Sequence, residues 1–375
     1  MIRLGARWLP SGRSGLAAMV RAIQRAEHNI QLQIYIFQND PTGLQICSAL
    51  QDAAARGLRV RVLVDAFGSM GLPATFFDSL LELGGQVRFF NPLNPRRIVY
   101  RNHRKILVVD RSLAIVGGFN IGREYDGDGI ESGWCDLGLE VNSNVVAGEL
   151  AGTFDRMFVL ADDRPRRFAR LRRAEERQQL SFDGVDVLLS GPGRGSNPLK
   201  SALLRDLSKA GSIRIITPYF LPTWGLRRRL MKRARLGDRV QLLLPARSDV
   251  KLALHAGQSL YARLLRAGVE ILEYQPQILH AKLVLANGAV YVGSANFNTR
   301  SLHIDYELML RIEVPEIVEQ AEGLFDALVE HSRTIDLAAW RRQQGLWRGL
   351  KQRLSYYLIA RLDPLVARWL WKDQG

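Results

Sequence analysis

Two stretches of this chain repeat one pattern, and that repeat constrains the fold more than any other feature of the sequence. The first, NHRKILVVDRSLAIVGGFN, runs from Asn102 to Asn120, and the second, HAKLVLANGAVYVGSAN, from His280 to Asn296. Each carries a histidine and a lysine two residues apart: His103 and Lys105, then His280 and Lys282. An apolar run, a short polar break and a second apolar run follow. Gly117-Gly118 then leads to Asn120, and Gly293-Ser294 to Asn296. Aliphatic and β-branched residues on both sides of a polar break predict two antiparallel strands joined by a tight turn. Side chains at i and i+2 of a strand share a face, so each histidine points the same way as its lysine. A two-residue turn would place Asn120 opposite His103. Such a patch, beside glycines that keep the backbone approachable, is an anion site containing a titratable group.

The flanking segments repeat as well. In the first half, Leu16–Glu27 has helical spacing and Ile30–Phe37 alternates like a strand. Gly43–Arg56 reads as helix, Leu58–Asp65 as strand, Ala74–Leu83 as helix and Val87–Phe90 as strand. The second half gives helix Ala202–Ala210, strand Ser212–Thr217, helix Leu226–Leu236 and strand Val240–Leu244. Helix Ser259–Ala267, strand Val269–Tyr274 and the second hairpin complete it. ARGLRVRVLVD (55–65) resembles ARLGDRVQLLLP (234–245), and LGGQVRFF (83–90) resembles RAGVEILEY (266–274). Alternating strands and helices predict an α/β sandwich with helices on both faces of each sheet. A repeat of this length predicts duplication. Pseudo-twofold packing of the halves would bring both His/Lys patches to one cleft.

The chain has 375 residues, enough for two domains of typical size. Its 52 basic against 37 acidic residues give a net charge of +15, which implies an anionic partner, nucleic acid or membrane surface. The two cysteines, Cys47 and Cys135, form no CxxC pair, which excludes a disulfide framework and a thiolate zinc site and suits a reducing compartment. The N-terminus lacks the apolar core of a signal peptide, and no run approaches the ~20 apolar residues of a spanning helix. Between the halves, DDRPRRFARLRRAEERQQ (162–179) holds seven arginines from Arg164 to Arg177. It reads either as a solvated linker helix or as a basic element that docks on anionic lipid. In the tail, Leu346, Trp347, Leu350, Leu354, Tyr357 and Leu358 recur at helical spacing against Arg348, Lys351, Gln352 and Arg353. Apolar residues with Trp and Tyr, interleaved with basic ones, predict a helix lying in a membrane interface; the plainer reading is a terminal helix packed on the core.

Two-metal phosphoester hydrolysis needs several carboxylate or imidazole ligands within a few ångströms, and neither motif supplies them, so no metal or cofactor is expected. The motifs supply Lys105, Lys282, Asn120 and Asn296 to stabilise charge on a phosphoryl group. They also supply two imidazoles suited to proton transfer near neutrality. One imidazole, here assigned to His103, can attack phosphorus to give a phosphohistidine, while His280 protonates the leaving alkoxide and then deprotonates the acceptor. A carboxylate on the other ring nitrogen must fix the tautomer. Asp136 in WCDLGLE and Glu307 in DYELML, each about thirty residues past its histidine on a strand-like segment, are the candidates.

With these residues in place, the sequence resembles the phospholipase D superfamily, whose signature of HxK, four residues and Asp, followed by Gly-Gly/Ser-x-Asn, occurs twice. Within it the chain is similar to bacterial cardiolipin synthases over roughly residues 15–335, through TPYFLP (217–222), LLLPARSD (242–249), RAGVEILEYQPQILHAK (266–282) and GSANFNTRSL (293–302). The resemblance implies two tandem phospholipase D-like α/β domains, 1–160 and 181–335, joined by a basic linker, 161–180, and followed by a membrane-interface tail, 336–375. It implies a phosphatidyltransferase peripheral to the bacterial cytoplasmic membrane, acting on phosphatidylglycerol, in a short form without N-terminal membrane helices. His103, Lys105, Asn120, His280, Lys282 and Asn296 would form the shared site, with Asp136 and Glu307 orienting the histidines. The first motif has Asp110, but Asn287 stands where the family has Asp. Both fall at a predicted hairpin turn, where Asn-Gly is favoured, so the departure is expected to be tolerated. The same motif also serves lipid hydrolysis. A nucleic-acid phosphodiesterase would want aromatics among its basic residues, and the 164–177 stretch offers only Phe168.

Overall fold

A computed structural model describes residues 5–92, 99–161, 177–182, 184–192 and 196–362. Most of the Arg-rich segment and the end of the tail, 363–375, lie outside the described residues.

In the first half the strands are β1 (Gly5–Leu9), β2 (Asn29–Ile34), β3 (Arg59–Asp65), β4 (Gln86–Phe90), β5 (Ile106–Val109), β6 (Leu113–Gly117) and β7 (Gly138–Asn142). The second half continues with β8 (Gln179–Phe182), β9 (Val185–Ser190), β10 (Ser212–Ile216), β11 (Arg239–Pro245) and β12 (Glu270–Tyr274). It ends with β13 (Leu283–Ala286), β14 (Ala289–Gly293), β15 (Glu307–Ile312) and β16 (Ser332–Thr334). The first sheet has the order β1-β7-β6-β5-β2-β3-β4, and the second β16-β12-β11-β10-β13-β14-β15-β9-β8. Without its two added edge strands, β8 and β16, the second order is the first one again. Each sheet is parallel where helices return the chain, β2 to β3 to β4 and β10 to β11 to β12, and antiparallel through its hairpin.

Local chemistry explains the helices. Ser11 and Ser14 form a reciprocal capping box at the start of Gly12–Arg25. Asp40 accepts from Gly43 N–H, with Pro41 at the first helical position of Pro41–Ala55, and Asn197 and Pro198 repeat the device for Pro198–Lys209. Gly57 and Gly237, with φ of 85° and 93°, take the left-handed conformation that ends the helices before β3 and β11. Over Ala74–Leu83 only Asp78–Glu82 is helical. Phe77 at its N-cap makes no capping bond, and Phe76 and Phe77 instead pack edge-on against each other and Phe37. The helical reading of Ser259–Ala267 also shifts, because helix occupies Lys251–Gln258 and then Tyr261–Leu265.

Each sheet has helices on both faces. Helices Gly12–Arg25 and Pro41–Ala55 cover one face of the first sheet through Leu16, Ile23, Ile46 and Leu50. Pro198–Lys209, Trp224–Arg235 and Tyr261–Leu265 cover the matching face of the second. The opposite faces share one core in which Ile106, Val108 and Val116 meet Leu283, Val290 and Val292, flanked by helices Asn144–Leu160 and Pro315–Glu330. The two hairpins therefore pack on each other across the halves.

Candidate active site

The hairpin turns carry the residues at which the motifs differ. Asn287 and Gly288 close β13 to β14 as a two-residue turn with φ of 55° and 71°, the left-handed pair that Asn-Gly suits. The first turn is one residue longer, because Val109 pairs with Leu113. Asp110 and Arg111 both have positive φ there. The Asp110 carboxylate faces away from the histidines and accepts the N–H groups of Glu27, His28 and Asn29 at 2.9, 2.8 and 2.8 Å. Asp110 thus ties the turn to the start of β2.

His103–Lys105 and His280–Lys282 lie just ahead of β5 and β13 rather than within them. Two short bridges between the halves hold them. Asn102 pairs with Tyr306, and Cys135 with Leu279. In each bridge the residue before a histidine pairs with the residue before the other half's carboxylate. Each carboxylate consequently serves the histidine of the opposite half, not the one about thirty residues behind it. His103 Nδ1 lies 3.1 Å from Glu307 Oε2, and His280 Nδ1 lies 2.6 Å from Asp136 Oδ2. A carboxylate only accepts, so each Nδ1 donates to its carboxylate; His103 Nε2 is left for a substrate, whereas Lys282 Nζ lies 3.2 Å from His280 Nε2.

The surroundings of the two rings differ. His103 lies against Tyr35, with ring centroids 4.8 Å apart. His280 is enclosed by Tyr125 and Trp134 from the first half, at 5.3 and 5.4 Å. Burial pushes the His280 imidazole below its ordinary pKa, and the Lys282 charge adds to the effect against the pull of Asp136. Burial also pushes Lys105 down to about 7 and Lys282 to about 8, with Glu307 and Asp136 opposing the shift. The carboxylates respond in the opposite sense. Burial alone would raise Asp136, but Lys282 and His280 hold it below the ordinary range. His103 and Lys105 do the same for Glu307, helped by the Ser294 hydroxyl at 2.5 Å. On the first half's side the place of that hydroxyl is closed, since a Cβ on Gly118 would lie 2.2 Å from Asp136 Oδ1.

His103, His280, Asn120 and Asn296 line one cavity of about 740 Å³, with Lys105 and Lys282 buried behind the histidines. Asn120 is bound on both atoms: its Oδ1 accepts from Ile36 N–H at 3.1 Å and its Nδ2 donates to Tyr125 Oη at 2.8 Å. Asn296 Oδ1 is buried and has no protein partner among the described residues. Arg101 bonds Asp65 and Arg300 bonds Asp305, each at 3.2 Å, on the His103 side. Tyr219 donates to Asp249 on the other side. Sequence reasoning missed Tyr35, Trp134, Ser294, Tyr219 and Asp249 as site residues, although Trp134 and Ser294 lie within two residues of Asp136 and Asn296. Among the described residues no group of three or more His, Cys, Asp or Glu is placed to hold a metal ion.

A duplicated fold with two carboxylate-backed histidines and two lysines at one cavity defines the phospholipase D-like class. The chain belongs to the family described as cardiolipin synthase, PLD-like domain, which matches residues 19–158 and again 203–329. It is 30% identical over 373 residues to a cardiolipin synthase of Geobacillus kaustophilus, covering 96% of this chain and 72% of that protein. Cardiolipin synthase 1 of Bacillus cereus is 29% identical over 371 residues, with the same coverage. In fold, the chain is similar to phosphatidylserine synthase of Haemophilus influenzae, with a TM-score of 0.79, 16% identity, and 96% and 94% of the two chains covered.

Proposed function

We propose that this protein is a phosphatidyltransferase that makes cardiolipin from two phosphatidylglycerol molecules and releases glycerol. The observation that carries the reading is the pair of histidines, each held through Nδ1 by a carboxylate and each lining one cavity. His103 Nε2 attacks phosphorus of the first lipid, forming the N–P bond as the P–O bond to glycerol breaks. His280 gives its proton to the departing oxygen. Its proton is loosely held, and an anionic phosphodiester arriving against Lys282 offsets the charge that opposes protonation. The neutral His280 then takes the proton from a headgroup hydroxyl of the second lipid, which attacks the phosphohistidine and restores His103. Lys105, Lys282 and Asn296 stabilise the charge on the equatorial oxygens. One phosphodiester replaces another, so no nucleotide is required.

The lipid must reach this cavity from a membrane, and the tail supports that role. Helix Leu346–Tyr357 packs on helix Lys251–Gln258 and turns Gln352 and Ser355 inward. Trp347, Leu350, Leu354 and Tyr357 face outward, 83%, 58%, 56% and 55% exposed. Val250 and Leu252 are exposed beside it, Met70 is exposed near the pocket residue Phe67, and Ile359 and Ala360 line the cavity itself. An outward apolar helix ending at the cavity mouth suits a protein that sits on the cytoplasmic membrane without crossing it. No helix among the described residues is long and apolar enough to span a bilayer.

The test is incubation of the purified protein with phosphatidylglycerol vesicles. Cardiolipin and glycerol in equal amounts are expected. Phosphatidic acid alone would make the protein a hydrolase, and cleavage of single-stranded DNA with no lipid product would overturn the reading. Acid-labile label mapped to His280 rather than His103 would reverse the assignment of nucleophile.

A further inference from the structure

Among the described residues five carboxylates lie at or just behind the cavity, and four of them are paired at bonding distance with a basic side chain. Asp136 faces His280 and Lys282, Glu307 faces His103 and Lys105, Asp65 bonds Arg101, and Asp305 bonds Arg300. Asp249 is the exception. Its partners are Tyr219 Oη, 2.8 Å from both carboxylate oxygens, and the Ser248 hydroxyl at 3.2 Å; no cation pairs with it among the described residues. Tyr219 follows β10 and Asp249 follows β11, and both line the cavity that holds the histidines. Burial and the Asp249 charge push the Tyr219 hydroxyl above its ordinary pKa, so it stays protonated and donating.

A carboxylate with no cation bonded to it, and only the more distant Lys282 acting on it, repels the phosphodiester that this cavity is built to hold, so its presence calls for a ligand that donates to it. A carboxylate oxygen has lone pairs beyond the one Tyr219 uses, and the tyrosine oxygen can itself accept. The donors can be hydroxyls or an ammonium group. Asp249 is already within electrostatic reach of Lys282, so an ammonium headgroup would face a like charge there, and a hydroxyl would not. We infer that Tyr219 and Asp249 form a polyol subsite that holds the glycerol hydroxyls of the headgroup leaving or entering beside His280. This rests on the phosphatidyltransferase reading and adds to it the feature that selects the alcohol. Both residues are positioning residues, because they hold the alcohol without touching phosphorus.

The experiment measures kcat/KM for phosphatidylglycerol and for phosphatidyl-1-propanol, which keeps the phosphodiester and lacks the headgroup hydroxyls. Each is given as a headgroup-labelled trace donor in vesicles of unlabelled phosphatidylglycerol, which supplies the acceptor hydroxyl, to the wild type, Asp249→Asn and Tyr219→Phe, and release of the labelled alcohol is followed. A ratio of the two substrates within one preparation does not depend on how much protein is folded. The wild type is expected to prefer phosphatidylglycerol, and each substitution to lower that preference at least about tenfold, as for loss of a charge-assisted hydrogen bond. An unchanged ratio in both variants overturns the subsite while leaving the phosphatidyltransferase reading intact. A wild-type preference for phosphatidylethanolamine that Asp249→Asn abolishes overturns it in favour of an ammonium site. A wild type that consumes none of these lipids removes the functional reading and this inference together.

Discussion

Gly118 and Ser294 occupy matching places in the two hairpins and answer to different carboxylates. Ser294 supplies a hydroxyl to Glu307, whereas at Gly118 even a methyl group would press on Asp136, 2.2 Å away. Gly118→Ala must therefore displace Asp136 and with it the His280 ring. Turnover is expected to fall on the order of a hundredfold, the cost of misplacing a reacting group by about an ångström, with little change in substrate KM. Ser294→Ala removes only one of the groups around Glu307 and should cost less, which parallel steady-state measurements will show. At the turns, Asn287→Asp is expected to leave turnover within a few-fold, since neither turn residue faces a histidine. A large gain in that variant would tie position 287 to the chemistry. The lysines set the pH response. With Lys105 near about 7 and Lys282 near about 8 in the free enzyme, both are cationic below those values and neutral above them. Affinity for an anionic lipid is therefore greatest on the acid side, and kcat/KM should fall as pH rises through 7 to 8. Lys105→Arg, which stays charged, should move that limb upward in a pH–rate profile. The histidines, lysines and asparagines were legible in the sequence because a repeat marks them. The pairing of Asp136 with His280 was not, because it depends on a bridge between residues 144 apart in the chain.

Strands were easier to place than helices here, and the reason is visible in particular elements. β2 and β3 alternate apolar with polar residues, Ile30, Leu32 and Ile34 against Gln31 and Gln33, and β10 and β11 end in short apolar runs, so each reads as a strand between glycine or polar stops. The Ala74–Leu83 pattern satisfied a helical period, yet Phe76 and Phe77 gain more by packing with Phe37 than by continuing a helix. Periodicity cannot weigh that tertiary contact. The tail is a different case. Its helical period is real, but the spacing alone left open which face would turn to the protein. Gln352, Ser355 and Tyr356 pack inward, Tyr356 accepting from Arg227 at 3.4 Å, so the apolar side has no partner among the described residues. If that side enters a lipid interface, Leu350→Glu and Leu354→Glu should each weaken sedimentation with anionic vesicles. Losing burial of one leucine is worth about 1.5–3 kcal/mol, so a drop of roughly tenfold or more in partition is expected per site. Binding that persists in the double variant would assign the contact to another surface.

The two sheets share one strand order, but neither half is complete. Each histidine takes its carboxylate from the other half, and both halves line the common core, Val108 and Val116 from the first with Leu285 and Val292 from the second. A half produced alone would expose that face and leave its own histidine without the group that fixes its tautomer. The duplication was legible from the motifs; the dependence of one copy on the other was not, because nothing in a repeat says which faces meet. Splitting the chain tests this dependence. Residues 1–170 and 171–375 produced separately should be poorly soluble and inactive toward phosphatidylglycerol. Produced together, they should copurify and recover activity, since the shared core and both bridges form between them without a covalent link. The discriminating arm pairs a first half carrying Asp136→Asn with an intact second half. Asp136 acts on His280, so this mixture should assemble and copurify as well as the unmodified pair while losing most of its turnover. Each pairing would be followed by copurification for assembly and by cardiolipin formation for the site. An active isolated half would show that one histidine can find its partner at home, and the crossed arrangement would then be dispensable.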